Sequence, residues 1–400
     1  MKRPHPRPNN SWSARLALCK KTRLVVLFLV TFPAFLPAQT QYAADGTPTG
    51  LEEEIRWRVN RGRYDSASEN RLRGTAYSDI PASLGPLAPN QSLTVAARHQ
   101  SEDMAKHNVF QHATVSGSAY YDPTTQPNPW DRMKAEGYSF NYAGENIAAG
   151  YGNADAAYVG WWNSAGHRAN MFNGAFREIG DGYYYWSAST YRAYYTMDLA
   201  NSGNHCFFTD TLFYDANRNG VYDQGEGIAG VTVSLLVDGV PFQSLDVSTA
   251  AGSFAIPIQT ISNGAAVQVI LSNSTAAAIT LTLPRDYLNS TNITLAKGGT
   301  QVAGSFTPSA NVRNFGFRDL SPAPTIVPAR LVIASSAPGV CLVWPTKTGL
   351  EYQPQWTTNF TVWNNLSSGF LSGTGGSITN LDTTASGQPP RFYRLLIRAL

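Results

Sequence analysis

Cysteine and charge are what this chain has least of. Its 400 residues include three cysteines, Cys19, Cys206 and Cys341. That is too few for a disulfide framework, so ordinary hydrophobic cores have to stabilise the fold. Charged residues make up 14% of the chain, against roughly a quarter in typical soluble proteins. With 34 glycines, 24 prolines and 12% aromatic residues, the profile is that of strands and turns. It excludes a helical bundle and a disordered tail. The net charge of +3 conceals an asymmetry. Residues 1–38 hold seven basic side chains and no acid, so 30 − 7 = 23 bases face 27 acids in the remainder, a net of −4. Such a protein has little electrostatic pull on nucleic acid, and that partner class is excluded.

Long apolar runs are also scarce. The one conspicuous run, Leu24 to Leu36, has 13 residues and follows a basic stretch. It is short for a membrane span and right for the core of a signal peptide, with Pro37-Ala38-Gln39 as a cleavage region. Cys19 precedes the apolar core, which argues against a lipoprotein cysteine. The expectation is export to the cell surface or beyond, with no membrane span after cleavage.

Three segments follow the signal at 1–38. The first, 39–205, holds five of the six histidines and the clearest helical patterns. Helices are expected over Leu51–Asn60, Ser92–Asn108 and Ala154–Asn163, with Gly166 just past the end of the third. Aromatic strands are expected at Ile179–Trp186 and Tyr191–Leu199, giving an α+β domain. The second segment, 206–320, alternates with period two in runs such as Val231–Val237 and Ile279–Leu283, the pattern of a β-sandwich. The third, 321–400, opens on a Pro-rich linker and continues as a small β-module, with strands at Leu331–Ala334, Val340–Trp344, Tyr352–Thr357 and Arg391–Ile397. Its aromatics, Tyr352, Trp356 and Trp363, can stack on sugar, although core packing is the commoner role. Cys206 and Cys341 fall in different segments and are not assigned to a bridge.

Chemistry is concentrated in the first segment. His112 follows the second helix, Glu145 lies in a glycine-flanked loop, and His167 closes the third helix. Two imidazoles and a carboxylate from three separate segments are what a metal site with an open position needs. A second histidine pattern, His99, Asp103 and His107 at four-residue spacing, is a conceivable metal stripe. A solvated face is the preferred reading there, because the apolar stripe of the helix lies elsewhere.

The contexts Phe110-Gln-His112, Gly144-Glu-Asn-Ile147, Trp161-Trp-Asn-Ser164, Gly166-His-Arg-Ala-Asn170, Glu178-Ile-Gly180 and Tyr194-Tyr195 resemble the CAP superfamily over about residues 51–201. That superfamily groups cysteine-rich secretory, antigen 5 and pathogenesis-related proteins, and the bacterial branch is the closest match. The resemblance implies an α-β-α sandwich with a central cleft lined by two His and two Glu. His112, Glu145 and His167 correspond to three of these, while Ser164 stands about where the second Glu is expected. Zinc or another divalent metal is the implied cofactor. Arg168 and Asn170 are expected to tie down the loop after the helix.

A second motif lies at 215–226. Asp215, Asn217, Asn219, Gly220 and Glu226 fit the calcium-loop spacing D-x-N-x-N-G-x5-E, with the Val221 carbonyl and Asp223 as further oxygen donors. The flanks read as strands, so this is no EF-hand pair. The segment through Leu235 resembles the B-type calcium-binding repeats of bacterial adhesins. The functional expectation is a secreted modular protein that binds an unknown ligand or cell-surface component in the cleft. The alternatives are a metal-assisted hydrolase or peptidase, and an adhesion protein with an inert first domain.

Overall fold

The computed structural model describes residues 44–203, 205–287, 289–309, 313–322, 331–336 and 339–399. The expected signal peptide with Cys19, and most of the expected linker, lie outside them. Among the described residues no helix is long and apolar enough to cross a membrane.

Helix α1 (Gly50–Tyr64) begins at Thr49, whose hydroxyl accepts from the Glu52 amide while the Glu52 carboxylate accepts from the Thr49 amide at 2.7 Å. This reciprocal cap satisfies two of the amides that a helix start leaves open. α2 (Ser66–Arg73) follows at once and ends on Gly74 at φ +66°. α3 (Gln91–His107), capped by Asn90, ends on Asn108 in the left-handed conformation, and α4 (Pro129–Ala135) carries Pro at its first position. The third expected helix forms at its expected place, and an unexpected one follows it. α5 (Ala154–Trp162) stops at Asn163, and α6 (Ala165–Met171) starts immediately, so Gly166 and His167 lie inside a helix rather than beyond one.

The sheet runs β1 (Ala88–Pro89), β3 (Glu178–Tyr185), β4 (Ala193–Asn201), β2 (Tyr142–Ala149), antiparallel except for β1 on β3. β2 includes Glu145, which was expected in a loop. The strand pairs with β4 over its whole length, from Tyr142 opposite Asn201 to Ala149 opposite Tyr194. α3 covers one face so closely that a Cβ at Gly180 or Gly182 would lie about 2 Å from its backbone, at Leu93 and Ala97 respectively. Only glycine permits that approach. On the other face Ile55 and Val59 of α1, with Trp161 and Trp162 of α5, bury Ile179, Met197 and Leu199.

Residues 206–322 form strands β5 (Phe207–Thr211), β6 (Val231–Val237), β7 (Val240–Val247), β8 (Ser253–Pro257), β9 (Val267–Asn273), β10 (Ile279–Pro284), β11 (Ser290–Leu295) and β12 (Thr300–Phe306). Ser321–Pro322, β12, β9, β6 and β7 make an antiparallel five-stranded sheet; β5–β8 and β10–β11 are separate pairs. Ser321 and Pro322 therefore belong to this sheet and not to a linker. Alternation delivers Val231, Val233 and Leu235 of β6, and Val267, Val269 and Leu271 of β9, into one core with Phe208, Phe254, Leu281 and Phe306.

The first two segments have separate cores but a buried polar seam joins them. Arg56 donates to Asp210 O and Thr211 Oγ1, both at 3.0 Å. Asn314 donates to Pro86 O and Arg177 O, and the Tyr287 hydroxyl donates to Glu69. The C-terminal module pairs strands 332–336, 339–345 and 377–382 in one sheet, and 350–357 with 364–365, 371–372 and 392–399 in another. Leu342, Trp344, Leu350 and Tyr352 are its core, so Tyr352 is a packing residue. Cys206 and Cys341 are free thiols.

Asp181 on β3 is fully buried against α1, and its Oδ1 has no partner. Burial drives its carboxyl well above the ordinary range; Glu52 and Glu53 add to this and Arg56 opposes it. A raised folded-state pKa gives stability that is complete below about pH 4 and lost as pH rises from there. Asp181→Asn is thus expected to match the parent near pH 4 and to exceed it by on the order of 2 kcal/mol near pH 8. Urea unfolding across that range checks this; parallel curves would show an ionised, solvated carboxylate.

Candidate functional site

Five residues after α3, the chain turns and presents His112 at the surface. Its ring is 51% exposed, whereas Glu145 behind it is 1% exposed. His112 Nδ1 lies 2.8 Å from Glu145 Oε1, and Arg132 Nη2 donates to Glu145 Oε2 at 2.8 Å. Arg132 Nη1 donates to His112 O at 2.9 Å and Thr114 Oγ1 at 3.2 Å, so one buried guanidinium fixes both the carboxylate and the backbone that carries the imidazole. Hydrogen bonds between charged partners, such as Arg132 on Glu145, are among the stronger ones in proteins.

Asp198 on β4 sits directly opposite Glu145. Burial raises its carboxyl well above the usual range, with Glu145 as the next cause and Arg132 opposing. Two neighbouring carboxylates cannot both ionise in so buried a place, and the protonated one hydrogen-bonds to the other. Glu145 therefore receives His112, Arg132 and Asp198 together. Spacing alone does not point to Arg132. Asp198 leaves a faint trace: Thr196 and Asp198 are the polar residues alternating within the otherwise apolar stretch from Ala193 to Ala200.

His167 comes from α6. Its Nδ1 is buried without a partner, and its pKa is lowered by burial first and by the charge of His112 second. Asn146 Nδ2 donates to His167 O at 3.2 Å, while Asn170 Nδ2 donates to Glu145 O and to Asn146 Oδ1. α6 is strapped to β2 in this way. Arg168 donates to Trp162 O and to Asp79, closing the turn between the helices. Ser164 precedes α6, makes no side-chain cap, and has no hydrogen bond to His112, Glu145 or His167 among the described residues.

Within the histidine stripe of α3, His107 is exposed, but His99 and Asp103 are not a solvated face. The His99 ring stacks on Tyr120 at 3.7 Å with Nδ1 3.1 Å from Glu136 Oε1, and Asp103 is 1% exposed, accepting from the Ser118 hydroxyl. The connection between α3 and α4 folds over this face and covers it.

In the loop at 215–226, Asp215 accepts from the amides of Asn219 and Gly220, and Glu226 from those of Ala216 and Asp223. Asp223 Oδ2 accepts from Nδ2 of both Asn217 and Asn219 at 2.7 Å. The amides of Asn219 and Val221 close Asx turns onto Asn217 and Asn219. Gly220, at φ +75°, supplies the sharp turn. Burial raises the Glu226 carboxyl, and Asp223 and Asp215 add to it. Tyr222, fully buried, packs with Phe213 and with Trp57 of α1. Among the described residues no three His, Cys, Asp or Glu side chains are gathered to hold a metal ion. Both oxygens of Glu145 are engaged, Oε1 by His112 and Oε2 by Arg132.

Residues 57–199 match the family model described as CAP, cysteine-rich secretory protein family. The uncharacterized protein YkwD of Bacillus subtilis is 39% identical over 100 residues, 25% of this chain and 35% of YkwD. The uncharacterized membrane protein YlbC of the same organism is 32% identical over 170 residues, 42% of this chain and 43% of YlbC. The chain thus spans less than half the length of these relatives. Among solved structures, an extracellular SCP-domain protein from Bacillus anthracis matches at 28% identity and TM-score 0.28, covering 38% of this chain and 40% of that one. A cysteine-rich secretory protein from Staphylococcus aureus matches at 16% identity and TM-score 0.23, covering 38% and 41%.

Removing Arg132 would leave Glu145 and Asp198 facing each other with only a half-exposed imidazole nearby. Arg132→Met is expected to lose about 3–5 kcal/mol, and His112→Ala less than about 1 kcal/mol. Equal losses in chemical denaturation would show that Arg132 does not organise the site.

Proposed function

With residues 57–199 a CAP domain, we propose that the chain is a secreted modular protein whose cleft binds a ligand at or outside the cell surface. Export rests on the basic stretch and apolar run at 24–36. The binding reading is carried by one observation: a half-exposed imidazole held from behind by a buried, multiply hydrogen-bonded carboxylate. That arrangement fixes the ring and its tautomer and leaves Nε2 to the incoming group. The unpartnered Nδ1 of His167, kept neutral by burial, is the second contact. A divalent metal such as zinc, when present, is held by these two imidazoles with Glu145 orienting the first. Binding is favoured over hydrolysis because Glu145, with three donors on it, is poorly placed to take a proton from water.

The layers of helix, sheet and helix are read as an α-β-α sandwich, and β5–β12 as a β-sandwich of the B-type adhesin kind with calcium in the loop. The donors suit a hard cation: Asp215, Asp223 and Glu226 crowd one turn, and the two asparagine amides on Asp223 stand where a cation would neutralise it.

Equilibrium dialysis of the full chain against zinc, read by elemental analysis, is expected to give a bound ion that His112→Ala/His167→Ala removes without loss of the fold. Retention by the double variant would overturn the imidazole assignment. For calcium, the melting transition of the full chain is expected to rise by an amount equivalent to about 2.7 kcal/mol at a hundredfold excess over Kd. Chelator should reverse the rise and Asp215→Ala abolish it. Identical melting with chelator and with millimolar calcium would mark the loop as a turn closed by its own hydrogen bonds.

A further inference from the structure

The C-terminal module holds a cleft of about 530 Å³ that neither site above uses, lined by Phe360, Trp363 and Phe392 together with Pro389, Pro390 and Arg391. Phe360 is 60% and Phe392 46% exposed, and their ring centroids lie 4.1 Å apart. Rings left in water add nothing to the module's own core, and grouped exposure of this kind marks a surface that meets something else.

Two details distinguish the cleft from incidental exposure. Phe360 has φ +60°, a left-handed conformation that bulky side chains rarely adopt and that recurs where ligands are clamped. Local hydrogen bonds impose it: Thr357 Oγ1 accepts from the Phe360 amide, and Asn359 Oδ1 from the amides of Thr361 and Val362. The turn therefore holds an aromatic ring outward at a position where glycine would rest without strain. Arg391, whose side chain is 8% exposed, donates from its terminal nitrogens to Asp382 Oδ2, Thr384 Oγ1 and Thr384 O. Its Nε–H is buried and meets no acceptor. An orphaned charged donor beside a cleft is uncommon in native proteins.

We propose that this cleft binds a neutral glycan, with a pyranose ring laying its C–H face on the open face of Phe360, which Phe392 backs from behind, and a hydroxyl accepting from Arg391 Nε. The lining selects that class of ligand. The electron-rich ring faces attract polarised C–H groups. The Arg391 charge is already met by Asp382, and the Arg394 guanidinium lies flat over the Trp363 ring, 4.0 Å from its centroid, with its Nε on Gln355, so neither guanidinium is presented end-on to a phosphate or a carboxylate. A purely aliphatic ligand would leave the Nε donor without an acceptor.

The test is calorimetric titration of the full chain with cellohexaose, chitohexaose, xylohexaose and mannohexaose. At least one is expected to bind with a submillimolar Kd. Phe360→Gly should weaken that binding at least about tenfold while the melting temperature holds or rises, because glycine relieves the positive φ. Phe392→Ser, a second route to the same readout, should weaken it similarly. The proposal is overturned if none of the four sugars binds at millimolar concentration, if Phe360→Gly binds like the parent, or if an uncharged aromatic peptide binds where the sugars do not.

Discussion

A guanidinium taken out of water needs a partner fixed in place, and most of this molecule's first two segments are arranged around that requirement. Helix α1 buries Glu52, Glu53, Arg56, Arg58, Arg61 and Arg63. Each meets a group from another element or an adjacent turn. Glu52 pairs with Arg98 of α3, Arg61 with Glu69 of α2, and Arg56 with Glu53 while reaching Asp210 and Thr211 of β5. Arg63 has no carboxylate; it donates to the carbonyls of Gly85, Met171 and Asn173, and burial pushes its pKa down to about 9. These bonds fix where each neighbour sits relative to α1. Apolar contacts alone would tolerate sliding, because they lack direction.

The same rule shapes the cluster around His112. Glu145 is buried because β2 is paired along its whole length, and a buried carboxylate must be met by donors. Arg132 arrives from α4, Asp198 from β4 and His112 from the start of the connection after α3. Only the last reaches solvent. What this cluster presents outward is therefore an imidazole whose orientation is set by buried groups behind it.

The two turns outside the first domain show opposite uses of similar local chemistry. At 215–226 and at 357–362, Asp, Asn or Thr side chains accept from nearby amides and hold a residue at positive φ. In the first, Tyr222 turns inward against Trp57 of α1 and joins the loop to the neighbouring domain. In the second, Phe360 turns outward into a cleft. The hydrogen bonds make the turn; the surface beneath it decides where the aromatic goes.

Several elements follow from the sequence alone, because their causes are local. Alternation of Val231, Val233 and Leu235 places β6, the apolar face of 92–108 places α3, and the residues around His112, Glu145 and His167 mark the stretch that matches the CAP family model. The spacing of Asp215 through Glu226 likewise marks a loop rich in oxygen donors. Tertiary structure decided what local pattern cannot hold. Glu145 reads as a loop residue until β4 pairs with it, the face bearing His99 and Asp103 reads as solvated until the connection to α4 covers it, and the stretch holding Gly166 reads as lying beyond a helix until α6 forms there. Arg132 and Asp198 join the site only because α4 and β4, which are 13 and 53 residues from Glu145 in the chain, are brought to the same buried carboxylate. Spacing along a chain records neighbours within a turn or a strand, whereas a buried charge is satisfied by whatever the packed fold delivers to it.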